Sequence, residues 1–208
     1  MDADQQSPGN PFGMDEACEN CARAANRERV VHGYGDVGAD FVFVGDAPSA
    51  AAEAAGVPFT GDPAGERLQD MLGRLGFNRS LPSSTDPELD NAFLTYLARC
   101  HAPTEPADPE VVACEPFLNA EIRMINPEII VPVGERALAA IGEEYTTTPV
   151  ADLDVVAHHA DRIRGRGFEL VPMIHPAELT DEQADAFVDA VSDILDTDYR
   201  QTKGRRGR

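Results

Sequence analysis

Residues 41–48 read FVFVGDAP. Four apolar residues in a row suit a strand covered on both faces, because a half-exposed strand would alternate apolar with polar. The glycine, acid and proline after them end the run and make a turn. Three further runs share this character: AFLTYL at 92–97, EIIVPV at 128–133 and FELVPMI at 168–174. Helical patterns separate them. Residues 66–75 place Leu68, Met71, Leu72 and Leu75 on one stripe, with Gly76 as C-cap. Asp108-Pro109 opens a helix that carries Phe117, Leu118, Ile122 and Ile125. Residues 136–141 read as a short helix closed by Gly142. Thr180 and Gln183 form a capping box ahead of a last stripe of Phe187, Val191, Ile194 and Leu195. Strand–helix alternation predicts an α/β fold, with four parallel strands joined by right-handed crossovers.

The turns at the strand ends carry the chemistry. Asp46 comes after the first run, Arg99-Cys100-His101 after the second, Gly134-Glu135 after the third and His175-Pro176 after the fourth. In a parallel sheet these turns share the carboxyl edge, where ligands bind. Asp46 and His175 can therefore meet in one cleft as an acid and an imidazole. His158 and His159 precede DRIRGRG, which reads as an exposed hairpin, and they read as solvated loop residues. His101 reads as a neighbour of the cysteines or an exposed residue.

The four cysteines are Cys18, Cys21, Cys100 and Cys114. The first two form a Cys-x-x-Cys pair, and the others lie far downstream. Four thiolates from two distant segments suit a [4Fe–4S] cluster, and by count alone a four-thiolate zinc site remains open. Disulfides fit less well, because the polar start MDADQQSPGN has no apolar signal-peptide core. A cytoplasmic location is expected. No apolar stretch approaches the length of a membrane span.

The chain has 208 residues and a net charge of −20, from 37 acids and 17 bases. Lys203 is the one lysine. An acidic, nearly lysine-free chain reads as adapted to molar salt, where surface carboxylates are screened within about 3 Å. Such a chain has no broad basic surface for nucleic acid. Any DNA contact must use backbone amides, a few arginines and shape. Residues 1–14 read as a loose arm, 15–199 as a single domain and 200–208 as a basic disordered tail. Residues 78–91 read as a polar loop. A monomer is expected.

Taken in order, Cys18-x-x-Cys21, VFVGDAPSAAAEAAGVPFTGDPAGERL, LTYLARCHAP, Cys114 with its helix, NPEIIVPVGERAL and MIHPAEL resemble the iron–sulfur uracil-DNA glycosylases, usually called family 4. The match runs over roughly residues 15–195. The resemblance implies a three-layer α/β/α fold with a central four-stranded parallel sheet. It also implies a [4Fe–4S] cluster on the four cysteines, and base excision from DNA by flipping uracil into a pocket. Carried over, Asp46 matches the acid that orients the attacking water, although this family typically has Glu there. Phe59 matches the aromatic that stacks on the flipped base. His175 matches the residue that hydrogen-bonds the uracil carbonyl and stabilises the leaving anion. Pro176 and Leu179 match the loop that presses into the duplex, with Leu179 as wedge. Backbone amides near Ala47 and Gly61 match those that hold phosphate or base.

Two departures accompany the match. Tyr96 stands where the family reads the uracil edge with asparagine, and a phenol cannot replace a carboxamide's paired donor and acceptor. Asn91 is the next candidate for that role. Ala52 stands where the family has an acid that helps exclude thymine, with Glu53 one position on. The expected activity is monofunctional hydrolysis, since the only lysine lies in the tail. A catalytically weak or inactive iron–sulfur paralogue that binds DNA or nucleotide is the alternative. An electron carrier lacks any partner-domain signature.

Overall fold

The computed structural model describes residues 7–197 and 199–200. Strand β1 is Tyr34–Gly35 and β2 is Phe41–Gly45. Helices α1 (Ala50–Ala55) and α2 (Pro63–Arg74) come next, then β3 (Ala92–Tyr96) and α3 (Asp108–Ile125). The chain continues through β4 (Ile129–Pro132), α4 (Glu135–Tyr145), β5 (Ile163–Arg164), β6 (Glu169–Leu170) and α5 (Asp181–Leu195). They form one six-stranded sheet, ordered β1-β3-β2-β4-β6-β5.

The sheet is mixed and wider than the four parallel strands expected. The runs at 41, 92, 128 and 168 do pair parallel with one another, as β3 on β2, β2 on β4 and β4 on β6. The two-residue strands β1 and β5 add antiparallel edges on β3 and β6. The fourth run is also shorter than expected. Pro172 has no N–H for the ladder, and beyond β6 a single bridge from Val133 to Met173 continues the pairing.

Period-two alternation sends the two halves of β2 to opposite faces. Phe41 and Phe43 pack with Leu68, Met71 and Leu72 of α2 and Phe187 and Val191 of α5. Val42 and Val44 pack with Leu118, Ile122 and Ile125 of α3. Every residue of β2 is buried, which explains why its sequence is apolar without interruption.

Three local expectations change. Gly142 does not close α4, which runs on to Tyr145. A Cβ at Gly142 would lie 2.2 Å from Leu153 Cδ1, so the glycine serves packing. Of the loose arm expected over residues 1–14, residues 1–6 lie outside the described residues, while in 7–14 Phe12 is buried and packs on Phe93 and Asn10 bonds the backbone of Met14. His159 is not a solvated loop residue. Its Nε2 lies 2.9 Å from the Gln183 carbonyl, and its ring stacks on Phe187. Residues 201–208 of the expected tail, Lys203 among them, lie outside the described residues, and Arg200 hydrogen-bonds Asp40.

Candidate active site

Hydrogen bonds beyond the strand ends knit the carboxyl edge together. The N–H groups of Leu97 and Ala98 donate to the carbonyls of Gly45 and Asp46, both at 2.8 Å. Val133 N–H donates to Val44, and Gly134 N–H to Met173, again at 2.8 Å. The turns bearing Asp46, Cys100, Gly134 and His175 therefore rise from one rim. Asn91 leaves the candidate set, because it precedes β3 at the opposite edge and its side chain accepts the Asp40 N–H.

Asp46 is half-buried, and its Oδ1 has no hydrogen-bond partner among the described residues. Burial pushes its pKa up to about 6. The Arg136 guanidinium and the Ala137 amide, in the first turn of α4, oppose that rise, while the Glu105 carboxylate adds to it. His175 sits in the last turn of the rim. Its Nδ1 accepts the Ala177 N–H at 3.3 Å, so the ring proton belongs on Nε2. Burial lowers its pKa against the pull of the Glu178 and Asp62 carboxylates, which keeps the ring neutral.

Phe59 is held from several sides. Its backbone is left-handed, at φ 54°, a strained position for an aromatic residue. The Tyr96 hydroxyl oxygen accepts the Phe59 N–H at 2.8 Å, and Gln69 Nε2 donates to the Phe59 carbonyl at 3.2 Å. The Phe59 and Tyr96 rings lie 4.7 Å apart at 35°. A Cβ at Gly45 would approach the Phe59 ring to 2.5 Å, so the glycine ending β2 gives the ring its space. Gly61 is exposed at φ 79°. Beside it, the Asp62 N-cap of α2 accepts the Gly65 N–H and the hydroxyl of Ser49, the N-cap of α1. This contact joins the two helix starts next to the half-buried Ala47.

Several sequence-derived positions prove different. Tyr96 is buried with its oxygen bonded to Phe59, so its phenol supports the aromatic rather than presenting a free edge-reading group. Glu53 is buried, and its Oε1 accepts the His101 N–H at 3.3 Å, because α1 faces the 100–101 turn. His101 Nδ1 lies 3.0 Å from the Pro48 carbonyl on the same turn. Leu179 is not an exposed wedge. It is 5% exposed in the core against α5, and its carbonyl accepts Arg67 Nη1. Pro176 is buried too, leaving Ala177 and Glu178 as the exposed residues of that loop. Sequence reasoning missed Arg136, Asp62 and Gln69. Arg136 and Asp62 carry a signal, since each opens a helix at the carboxyl edge.

Cys18, Cys100 and Cys114 are buried, Cys21 is half-buried and all four are free thiols. Cys18 and Cys100 share an apolar cluster with Val30, flanked by Phe117. Arg23 stitches the Cys21 segment to the Cys100 loop. It donates to the carbonyls of Cys100 and Thr104 and to Glu110. Burial pushes the Cys100 thiol up to about 11, with smaller contributions from the charges of Cys114, Cys21 and Cys18. Among the described residues, no three His, Cys, Asp or Glu side chains converge as a metal-ion site.

The Uracil DNA glycosylase superfamily model matches residues 32–195. The chain is 30% identical to a type-4 uracil-DNA glycosylase of Thermotoga maritima over 166 residues, covering 78% of this chain and 77% of the relative. It is 31% identical to that of Pyrobaculum aerophilum over 163 residues, with 77% and 78% covered. It is 25% identical to that of Saccharolobus solfataricus over 198 residues, with 89% and 80% covered.

Proposed function

Because this chain belongs to the uracil-DNA glycosylase superfamily, we infer that it excises uracil from DNA by hydrolysing the N-glycosidic bond, a step of base-excision repair. The observation that carries the residue roles is that one sheet edge bears an acid whose Oδ1 has no hydrogen-bond partner among the described residues and an imidazole whose Nδ1 is taken by the Ala177 N–H, which leaves the ring proton on Nε2. In this reading Asp46 Oδ1 accepts a hydrogen bond from the attacking water, and its charge favours the cationic sugar. The C1′–N1 electron pair leaves on the uracil ring, and His175 Nε2–H donates to the carbonyl oxygen that takes up the charge. The water oxygen bonds C1′, and its proton passes to Asp46 or solvent. Phe59, fixed by Tyr96, Gln69 and Gly45, is a rigid face for the flipped base. Amides near Ala47 and Gly61 hold the base or a phosphate. The products are free uracil and an intact abasic strand.

A [4Fe–4S] cluster on Cys18, Cys21, Cys100 and Cys114 fits the donor set. Among the described residues Arg27 Nη1 is a buried donor without a hydrogen-bond partner, and the Arg27 charge acts on Cys100, as suits a group facing an anionic cluster. When bound, the cluster would supply a redox-active covalent tie between the N-terminal cysteines and the sheet edge.

The remaining assignments are a cytoplasmic monomer adapted to high salt, with single- or double-stranded uracil-containing DNA as partner. Tyr96 in place of asparagine favours a second reading, a catalytically weak paralogue that binds DNA. The test is base release by Asp46→Asn and His175→Ala beside the parent. Each variant is expected to slow by on the order of 10²-fold or more while DNA affinity holds. Unchanged rates would overturn the residue roles.

A further inference from the structure

Among the buried polar atoms that lack hydrogen-bond partners among the described residues are Asp46 Oδ1 and Arg136 Nε, both at the reactive edge. One is an acceptor and the other a cationic donor. Buried groups left unpaired are costly, so a pair of opposite character at one edge calls for a functional explanation. Arg136 lies in the first turn of α4, beside the Ala137 amide that faces the Asp46 carboxylate. Its Nη2 is held at 2.6 Å by Asp108 Oδ1, from the first residue of α3. The Asp108 side chain is 93% exposed and that of Arg136 only 30%. Asp108 therefore anchors the outer end of a guanidinium whose inner edge is covered.

We propose that Arg136 is a positioning residue of the glycosylase reaction: anchored by Asp108, it keeps the half-buried Asp46 carboxylate ionised without occupying its free oxygen. This rests on the assignment of Asp46 as the water-orienting acid. A carboxyl buried without a nearby cation tends to keep its proton, and a protonated carboxyl lacks the charge that stabilises a cationic sugar. A direct ion pair would restore the charge but would take up the oxygen that must meet water. A guanidinium beside the carboxylate and bonded elsewhere supplies charge and leaves the oxygen free. Arginine suits this task because it stays protonated at every working pH. The other groups facing Asp46 are the Ala137 amide from α4, which favours the charged form, and Glu105 from the loop before α3, which opposes it.

The experiment is single-turnover excision from a uracil-containing single-stranded oligonucleotide, followed from pH 5.5 to 9. It compares the cluster-loaded parent with Arg136→Gln, Arg136→Met, Arg136→Lys and Asp46→Asn, each first checked for folding by thermal denaturation. Arg136→Gln and Arg136→Met should move the acid limb upward by about one pH unit. The loss should be about fivefold near pH 6 and should fade by pH 8.5, while affinity for a non-cleavable uracil analogue stays within about twofold. Arg136→Lys should restore most of the parent profile. An acid limb that does not move, or a loss of equal size at every pH, overturns the proposal. If Asp46→Asn keeps the parent rate, the Asp46 assignment falls and takes this inference with it. If Asp46→Asn is inactive and the limb stays in place without Arg136, only the role of Arg136 falls.

Discussion

The hydroxyl oxygen of Tyr96 accepts the backbone N–H of Phe59 at 2.8 Å, beneath rings that lie 4.7 Å apart. This bond joins residues 37 positions apart and holds Phe59 in a left-handed backbone that an aromatic residue rarely adopts. Tyr96 thus supports the backbone and the ring of Phe59.

Tyr96→Phe should leave the Phe59 N–H buried and unpaired, at a cost of about 1–3 kcal/mol. Tyr96→Asn should cost more, since it also removes the stacked ring. Neither variant should excise uracil faster or more selectively than the parent. Thermal denaturation and excision rates on uracil against other deaminated bases check this. A gain of uracil selectivity in Tyr96→Asn would return position 96 to base reading.

Asp46→Asn should stabilise the protein while slowing it. Burial raises the folded-state pKa of Asp46 from 3.8 to about 6, so the folded protein holds the proton more tightly than the unfolded chain. The resulting destabilisation sets in as pH climbs past the unfolded value and is complete above the folded one. Allowing for partial exposure, the asparagine variant should gain about 1–2 kcal/mol at pH 7. The gap should close toward about pH 4, as the parent carboxyl protonates in both states. Denaturation midpoints across this range decide the matter, and a constant gap would point to a cause other than ionisation.

Anaerobically purified protein should be brown and hold close to four irons per chain, as the four cysteines imply. Cys100→Ser or Cys114→Ser should lose the iron and loosen the segment that Arg23 holds against the Cys100 loop. Iron analysis and limited proteolysis report both effects. Stoichiometric zinc in protein kept free of oxygen would refute the cluster.

With a net charge of −20, folding and activity should both improve toward molar KCl. The surface arginines Arg67, Arg74, Arg79 and Arg162 are already paired with carboxylates, so they offer little loose positive charge for DNA. An activity optimum near 0.1 M KCl, lost by about 1 M, would reject the salt-adapted reading, since screening is weak at the first and strong at the second.

The sheet was legible where a strand is buried on both faces and therefore unbroken in sequence, as in FVFV. It was illegible in β1 and β5, where two residues are too few to show a period. Asp46 and His175 could be singled out as candidates because each follows an apolar run at the carboxyl edge. Leu179 misled because a leucine after a histidine–proline turn looks the same whether it faces solvent or, as here, the core beside α5. The hydrogen bond from Phe59 to Tyr96 and the influence of the Arg136 charge on Asp46 link distant segments, which no local pattern announces.

Hydrolytic uracil excision at the Asp46–His175 edge is tested most directly by its products. Cluster-loaded protein is incubated in molar KCl with a uracil-containing single-stranded oligonucleotide, and free base, strand integrity and borohydride-trapped adducts are measured together. The account predicts free uracil, an intact strand that breaks only on alkali treatment, no trapped adduct, and a loss on the order of 10²–10³-fold in His175→Ala. No release of uracil by the parent, or a covalent protein–DNA adduct, would contradict it.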